Sequence, residues 1–451
     1  MNSNETASDR DDPTTTASDR ASRRAFLGST AALSTIALAG CMGGDGSGGG
    51  GTDTATATDT PTATPTETAT PTEEPTEMEE MEAVDPDVPV LNYALTLEHL
   101  ENAFYRDGLA EFSDDELMNA SVLSDFGEQV RMEVPMYLGT VGEHEAAHVE
   151  AISATVEQLG GTPVEEAEYD FGYETPSEFL AVAQALENTG VAAYAGAAPS
   201  VHSNDVLAAA AGIHSVEARH AGFLNLVNGD SPYPNAVDEA MSMAEVLEVA
   251  GGFVTSDTSG MAETPETEST PVARKAEDDT SDLDVLNYAL TLEHLENAFY
   301  RDGLAEFSDD ELMEADVLSP FDETVRMEVP AYLATAGEHE AAHVEAISAT
   351  VEQLGGTPVE EAEYDFGYET PSEFLAVAQA LENTGVAAYA GAAPTVTNDD
   401  VFAAAIGIHS VEARHAGFLN ELNVESPFPA GVDEAMSMAE VREVAGQFIV
   451  G

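Results

Sequence analysis

The fifteen residues from Leu91 to Tyr105 recur unchanged from Leu286 to Tyr300, 195 positions later, and the sequence around them aligns at that offset without insertion. Two long copies separated by a linker predict two tandem domains, because a stacked solenoid needs three or more repeats to bury its faces. A chain of 451 residues is long enough for two hydrophobic cores. Whatever fold one copy adopts, the other must adopt as well.

Each copy reads as helical. In the first, Leu91, Leu95, Glu98, Asn102 and Tyr105 fall on one stripe, and Leu138, Val141, Glu145, His148, Ile152 and Leu159 on a second. Leu180, Ala183, Glu187, Val191 and Tyr194 make a third, opened by Thr175-Pro176-Ser177, and Leu207, Ala210, His214, Glu217, Ala221 and Leu224 a fourth. All four follow the three- and four-residue steps of an amphipathic helix. A shorter fifth helix is expected over Val237 to Ala250, and Thr162 to Thr175 is long enough to cross a bundle end to end, at roughly 45 Å when extended. The fold class expected is all-α: two tandem four-helix bundles, each with a short extra C-terminal helix.

The informative point is that polar residues lie on the apolar stripes, so they point into the bundle. They come in a fixed order: Glu98, Glu145-x-x-His148, Glu187, Glu217-x-x-His220, and again Glu293, Glu340-x-x-His343, Glu382, Glu412-x-x-His415. A bundle that binds two metals takes one Glu from each of two helices and a Glu-x-x-His pair from each of the others. Residues three apart share a helix face, so one turn can offer a carboxylate and an imidazole to the same metal pair. Four converging carboxylates would repel one another, and two divalent cations would neutralise them. Iron, manganese or zinc suits this oxygen and nitrogen donor set; iron is expected first, with manganese as the alternative, giving two di-metal centres per chain. On this reading Glu145 and Glu217 bridge, Glu98 and Glu187 are terminal, and His148 and His220 each cap one metal. Glu101 competes with Glu98; Glu98 is preferred for sharing a face with Tyr105, and Glu101 is left as a surface or supporting residue. Tyr105, Tyr194, Tyr300 and Tyr389 are candidates for hydrogen bonds to the ligand carboxylates, with His214 and His409 as further neighbours of the metals. His99 and His144 are expected in solvent, and His202, whose counterpart is Thr397, is expected to have no shared role.

A formal charge of −73, from 86 acidic against 13 basic residues, excludes nucleic acid as a partner and suits a protein of concentrated salt. Disorder of the whole chain is a poor fit to 43% hydrophobic residues at helical spacing. The single cysteine, Cys41, excludes disulfides and thiolate metal sites elsewhere. Ser22-Arg23-Arg24-Ala25-Phe26-Leu27 resembles a twin-arginine export signal, and Leu38-Ala39-Gly40-Cys41 resembles a lipobox. The expectation is a signal over 1–41, with Cys41 lipidated and the protein anchored on the outer face of the cytoplasmic membrane. A disordered Gly/Thr/Pro/Glu-rich stalk over 42–85, bundles over 86–254 and 283–451, and a disordered linker over 255–282 follow from composition.

The Leu-Asn-Tyr-Ala-Leu-x-Leu-Glu opening at Leu91 to Glu98 and the Ser-Pro-Phe-Pro stretch at Ser426 to Pro429 resemble the ferritin-like superfamily, in particular its group that includes desiccation-related proteins. The resemblance covers roughly three quarters of the chain. It implies a left-handed four-helix bundle with a crossover between helices two and three, and dioxygen or peroxide chemistry at a di-metal centre. Fe(II) oxidation or oxidant consumption in iron handling or oxidative stress is therefore expected, against a manganese catalase-like activity or a non-enzymatic desiccation protein with structural metals. A tethered tandem chain is ill suited to a 24-subunit storage cage, and without rubredoxin-like cysteine pairs its electrons must come from outside. The linker is long enough for the two bundles to pair within one chain or for the chain to form a homodimer.

Overall fold

The structure is a computed structural model that describes residues 84–255 and 280–450. The export signal, Cys41, the stalk and most of the linker lie outside the described residues. In the first copy the helices are α1 (Val88–Glu111), α2 (Asp114–Met118), α3 (Glu128–Gln158), α4 (Pro176–Ala197), α5 (Asn204–Val227) and α6 (Met243–Gly251). In the second they are α7 (Asp282–Glu306), α8 (Asp309–Met313), α9 (Glu323–Gln353), α10 (Pro371–Ala392), α11 (Asp399–Leu422) and α12 (Met438–Ala445). Among the described residues the β structure is limited to two isolated bridges, Tyr169 with Val254 and Tyr364 with Ile449. None of the described helices is long and apolar enough to cross a membrane.

Local sequence sets the helix ends. Thr175 caps α4 by accepting from the Glu178 amide at 3.3 Å, and Pro176 stands at a first-turn position where no amide is needed. Ser242 and Glu245 form a reciprocal capping box at the start of α6. Asp87 at the head of α1 accepts from the His202 amide at 2.7 Å, and Asp282 accepts from the Thr397 amide at the same distance. His202 and Thr397 thus do share a role, in tying the start of α5 or α11 to the start of α1 or α7. His99 is likewise not in solvent: its Nε2 donates to the Val164 carbonyl at 3.1 Å and pins the crossover segment to α1.

In each bundle α3 packs on α1 and α5 on α4, with the crossover after α3 joining the pairs. Leu95, Phe104, Leu138, Val141, Leu180, Ala183 and Leu224 are fully buried between them. Removing one large apolar side chain of this kind from water is worth about 1.5–3 kcal/mol. One end of the bundle is closed by aromatic rings: Phe104 stacks on Phe179 at 4.6 Å, and Phe171 meets Phe104 edge-on at 5.1 Å. The Phe179 ring lies so close to Gly108 that a Cβ there would sit 2.1 Å from it.

The expected fifth helix begins later than Val237, at Met243. The segment before it instead bends out to the other bundle, where the Asp238 amide donates to the Gly407 carbonyl at 3.0 Å, and returns to its own, where the Met241 amide donates to the Ala192 carbonyl at 3.0 Å. The second copy does the same, with the Asp433 amide donating to the Gly212 carbonyl at 3.1 Å. Glycine is needed at 212 and 407 because a Cβ would fall 2.6 and 2.7 Å from the incoming carbonyl oxygens of Asp433 and Asp238. The bundles meet through α5 and α11, with Val191, Ala218, Ala221, Val386, Ala413 and Ala416 forming a shared apolar patch. Arg219 Nε donates to Asp433 at 2.8 Å and Arg414 Nε to Asp238 at 2.8 Å, both arginines being almost fully buried.

Candidate metal centre

The inward stripes bring Glu98 (α1), Glu145 and His148 (α3), Glu187 (α4), and Glu217 and His220 (α5) to one point, all of them fully buried. His148 Nδ1 lies 3.1 Å from Glu98, 3.2 Å from Glu145 and 3.2 Å from Glu217. His220 Nδ1 lies 3.1 Å from the other oxygen of Glu145 and 3.2 Å from Glu187. Two overlapping groups result, Glu98–Glu145–His148–Glu217 and Glu145–Glu187–Glu217–His220, each with its donor atoms within 4.8 Å of one another. Glu145 and Glu217 are common to both groups. The second bundle repeats the arrangement with Glu293, Glu340, His343, Glu382, Glu412 and His415.

The tyrosines hold the unshared carboxylates. Tyr105 donates to Glu187 and Tyr300 to Glu382, each at 2.5 Å, while Tyr194 donates to Glu98 and Tyr389 to Glu293. Burial, and then the neighbouring carboxylates, push all four phenols well above their ordinary range, so they stay donors. His214 and His409 sit elsewhere: their Nδ1 atoms face each other at 3.3 Å between α5 and α11 rather than a cage carboxylate. Burial keeps both imidazoles neutral.

Glu101 is not a surface residue. It is 2% exposed, and a Cβ on Gly190 of α4 would lie 3.0 Å from its oxygen and 3.1 Å from one of Glu217, so the two carboxylates meet over that glycine. Its i+3 relation to Glu98 was the signal that could have found it. His144 also departs from the solvent expectation, for its Nδ1 is 3.1 Å from His220 Nε2 and the rings stack at 5.3 Å. Burial, reinforced by His220, lowers its pKa to about 3, so His144 is a neutral partner.

The electrostatics of the cage are those of crowded carboxylates around two imidazoles. Burial and then Glu145 and Glu187 raise Glu217 well above the carboxylate range, and burial followed by Glu217 does the same to Glu101. Burial disfavours the charge on Glu145 too, but His148 and His220 outweigh it and hold that carboxylate low. Burial opposes the charge on His148, yet Glu98 and Glu145 raise it well above its usual value; against the same opposition Glu187 and Glu145 raise His220 to about 9.

The residues fit a bound metal pair on two observations. One oxygen of Glu145 and both oxygens of Glu217 are buried without a well-aligned hydrogen bond, the imidazoles at 3.1–3.2 Å being their nearest donors, and the corresponding oxygens of Glu340 and Glu412 repeat this. Such orphans are costly unless something positive lies among them. In addition, both histidines present Nδ1 to the carboxylates, which completes an oxygen and nitrogen donor set for divalent first-row metals.

Comparison with known proteins agrees with this geometry. Protein rds1 of Schizosaccharomyces pombe (strain 972 / ATCC 24843) is 26% identical over 150 residues, covering 33% of this chain and 35% of that protein. The chain thus spans about a third of the length of the curated relative it matches. A family model described as a ferritin-like domain matches residues 86–230 and again 281–425, more than half of the chain. With two matched segments, each enclosing a buried Glu/His cage, the chain belongs to the ferritin-like domain family.

Proposed function

We propose that each bundle holds a di-metal centre that oxidises Fe(II) or consumes dioxygen or peroxide. Glu98, Glu145, His148 and Glu217 would hold one metal and Glu145, Glu187, Glu217 and His220 the other, with Glu145 and Glu217 shared; the second bundle would use Glu293, Glu340, His343, Glu382, Glu412 and His415 in the same way. A bound redox-active pair would supply the electrons that reduce the oxidant. Tyr105 and Tyr194 fix the orientation of Glu187 and Glu98 through their hydroxyl hydrogen bonds. The imidazole Nε2 atoms bond away from the cage, which leaves Nδ1 free to face it. Fully buried side chains around the cage exclude water from it. Glu101 adds a further acidic group beside Glu217.

The observation that carries this reading is the Glu217 carboxylate, buried, without a well-aligned hydrogen bond on either oxygen, and shared between the two donor groups. Alanine at both Glu145 and Glu217, with Glu340 and Glu412 replaced likewise, is expected to abolish metal binding and Fe(II)-dependent oxidant consumption. Consumption unchanged in that variant defeats the proposal. Elemental analysis of natively produced protein separates iron from manganese, and full stability without metal and without turnover would favour a structural role. We further propose export and lipid anchoring through Cys41; a Cys41→Ser chain is expected to leave the membrane fraction, and its retention there would refute the anchor.

A further inference from the structure

The family match ends at residues 230 and 425, yet the segments that follow are built into the cages. Residues 426–436, from the second copy, lie over the first cage. The Phe428 ring meets His220 edge-on at 4.9 Å and His144 at 6.0 Å. The Gly431 carbonyl accepts from His148 Nε2 at 2.6 Å. Because a carbonyl only accepts, Nε2 must carry a proton, so Nδ1, which faces Glu98, Glu145 and Glu217, is the nitrogen that can give up its proton and offer a lone pair to a metal. The segment is fastened by Asp433, through its amide to Gly212 and its carboxylate to Arg219.

The first copy returns the arrangement. Tyr233 meets His415 edge-on at 4.6 Å, the Ala236 carbonyl accepts from His343 Nε2 at 2.6 Å, and Asp238 is held by Gly407 and Arg414. In each cage, therefore, the opposite repeat bonds the outward nitrogen of one capping histidine, His148 or His343, and sets an aromatic ring against the other, whose own outward nitrogen meets His144 or His339 of its own repeat.

We propose that residues 426–436 are the positioning element of the first metal centre and residues 231–241 that of the second, so that neither centre reaches full metal affinity without the other repeat's arm. This rests on reading the cages as metal sites. Gly431 and Ala236 act through their backbone carbonyls on the ligand histidines, and Phe428 and Tyr233 act on the rings of His220 and His415. Partners that orient a ligand from behind typically govern metal affinity by 10–100-fold.

The test uses the full chain with the second cage disabled by Glu340→Gln and Glu412→Gln, titrated with Co(II) and followed by its visible ligand-field bands. In that background Asp433→Ala, which frees the arm over the surviving first cage, is expected to weaken Co(II) binding by about tenfold or more. Asp238→Ala in the same background frees the other arm and leaves an equivalent buried arginine unpaired, yet it should change first-cage affinity less than about twofold. Phe428→Leu, which keeps the arm's backbone anchor, should shift the band positions with a smaller loss. The mirror background, with Glu145→Gln and Glu217→Gln, should reverse the roles of Asp433 and Asp238. Equal losses for both aspartates would show general loosening and overturn the proposal, as would Co(II) binding unmoved by Asp433→Ala. Absence of Co(II) binding in the parent background would instead overturn the metal reading and this inference with it.

Discussion

Metal entry into these cages should expel protons. Without metal, Glu98 and Glu145 raise His148 well above its usual value against its burial, and Glu187 and Glu145 raise His220 to about 9 against the same opposition. Glu217 is pushed well above the carboxylate range by burial and by Glu145 and Glu187. Metal ligands must shed the protons they carry, and with His220 and His415 raised to about 9 each cage should release about one proton or more at pH 7. The second cage behaves alike, with His343 raised, His415 at about 9 and Glu412 raised for the same reasons. Isothermal titration with Mn(II) or Co(II), without oxygen, in buffers of different ionisation heat gives the count as a slope. Each proton released makes affinity about tenfold tighter per pH unit, so binding should strengthen steeply as pH rises from 6 to 8. Glu217→Gln should lower the count in its cage wherever binding survives. The same shifts fix the metal-free protein's stability: histidines with raised folded pKa contribute fully below about 6.5 and lose that contribution as pH climbs through their folded values, about 9 for His220 and His415. The metal-free form should therefore weaken in alkali while the loaded form does not. A proton count below about one per cage at pH 7 would refute the charge assignment.

Other outcomes can be checked by thermal or denaturant unfolding. Gly108→Ala places a methyl 2.1 Å from the Phe179 ring and should cost about 1–3 kcal/mol, as should Gly303→Ala against Phe374. Arg219→Ala strips the buried partner from Asp433 and should cost about 3 kcal/mol or more, with Arg219→Met recovering part of the loss; no change would mean that the pair is dispensable. With a formal charge of −73, the melting temperature should rise as salt goes from about 0.1 to about 1 M and the screening length falls from about 10 to about 3 Å; a flat response would remove the case for adaptation to salt.

The helices and the cage were legible because their signal is local. Glu145 and His148, or Glu217 and His220, lie on the apolar side of a periodic stripe, and burial then follows from periodicity alone. Sequence alone weighs Glu101 only as a rival to Glu98, because the room for a second inward carboxylate depends on the absence of a side chain at Gly190, on another helix. His144 was hidden for a different reason: it sits beside the cage stripe, and what buries it is His220 together with Phe428 from the other repeat. Read along the chain, residues 237–242 belong to the start of the fifth helix, but the backbone partner of Asp238 there is Gly407. No window along the sequence contains a contact of that range, such as the 283 positions between His148 and Gly431.

The exchanged arms have a hereditary consequence. If each cage is tuned by the other repeat, a change at Phe428 or Gly431 is felt at His220 and His148, so selection on the first centre acts on codons of the second half. Identical stretches such as Leu91 to Tyr105 and Leu286 to Tyr300 invite recombination that deletes one repeat. A chain shortened in that way would lay its remaining arm over nothing unless two copies associated, and its cages would then depend on protein concentration. Fusion of the halves removes that dependence, and it also binds the duplicates to a common fate, since neither can decay without spoiling the histidines of its sibling.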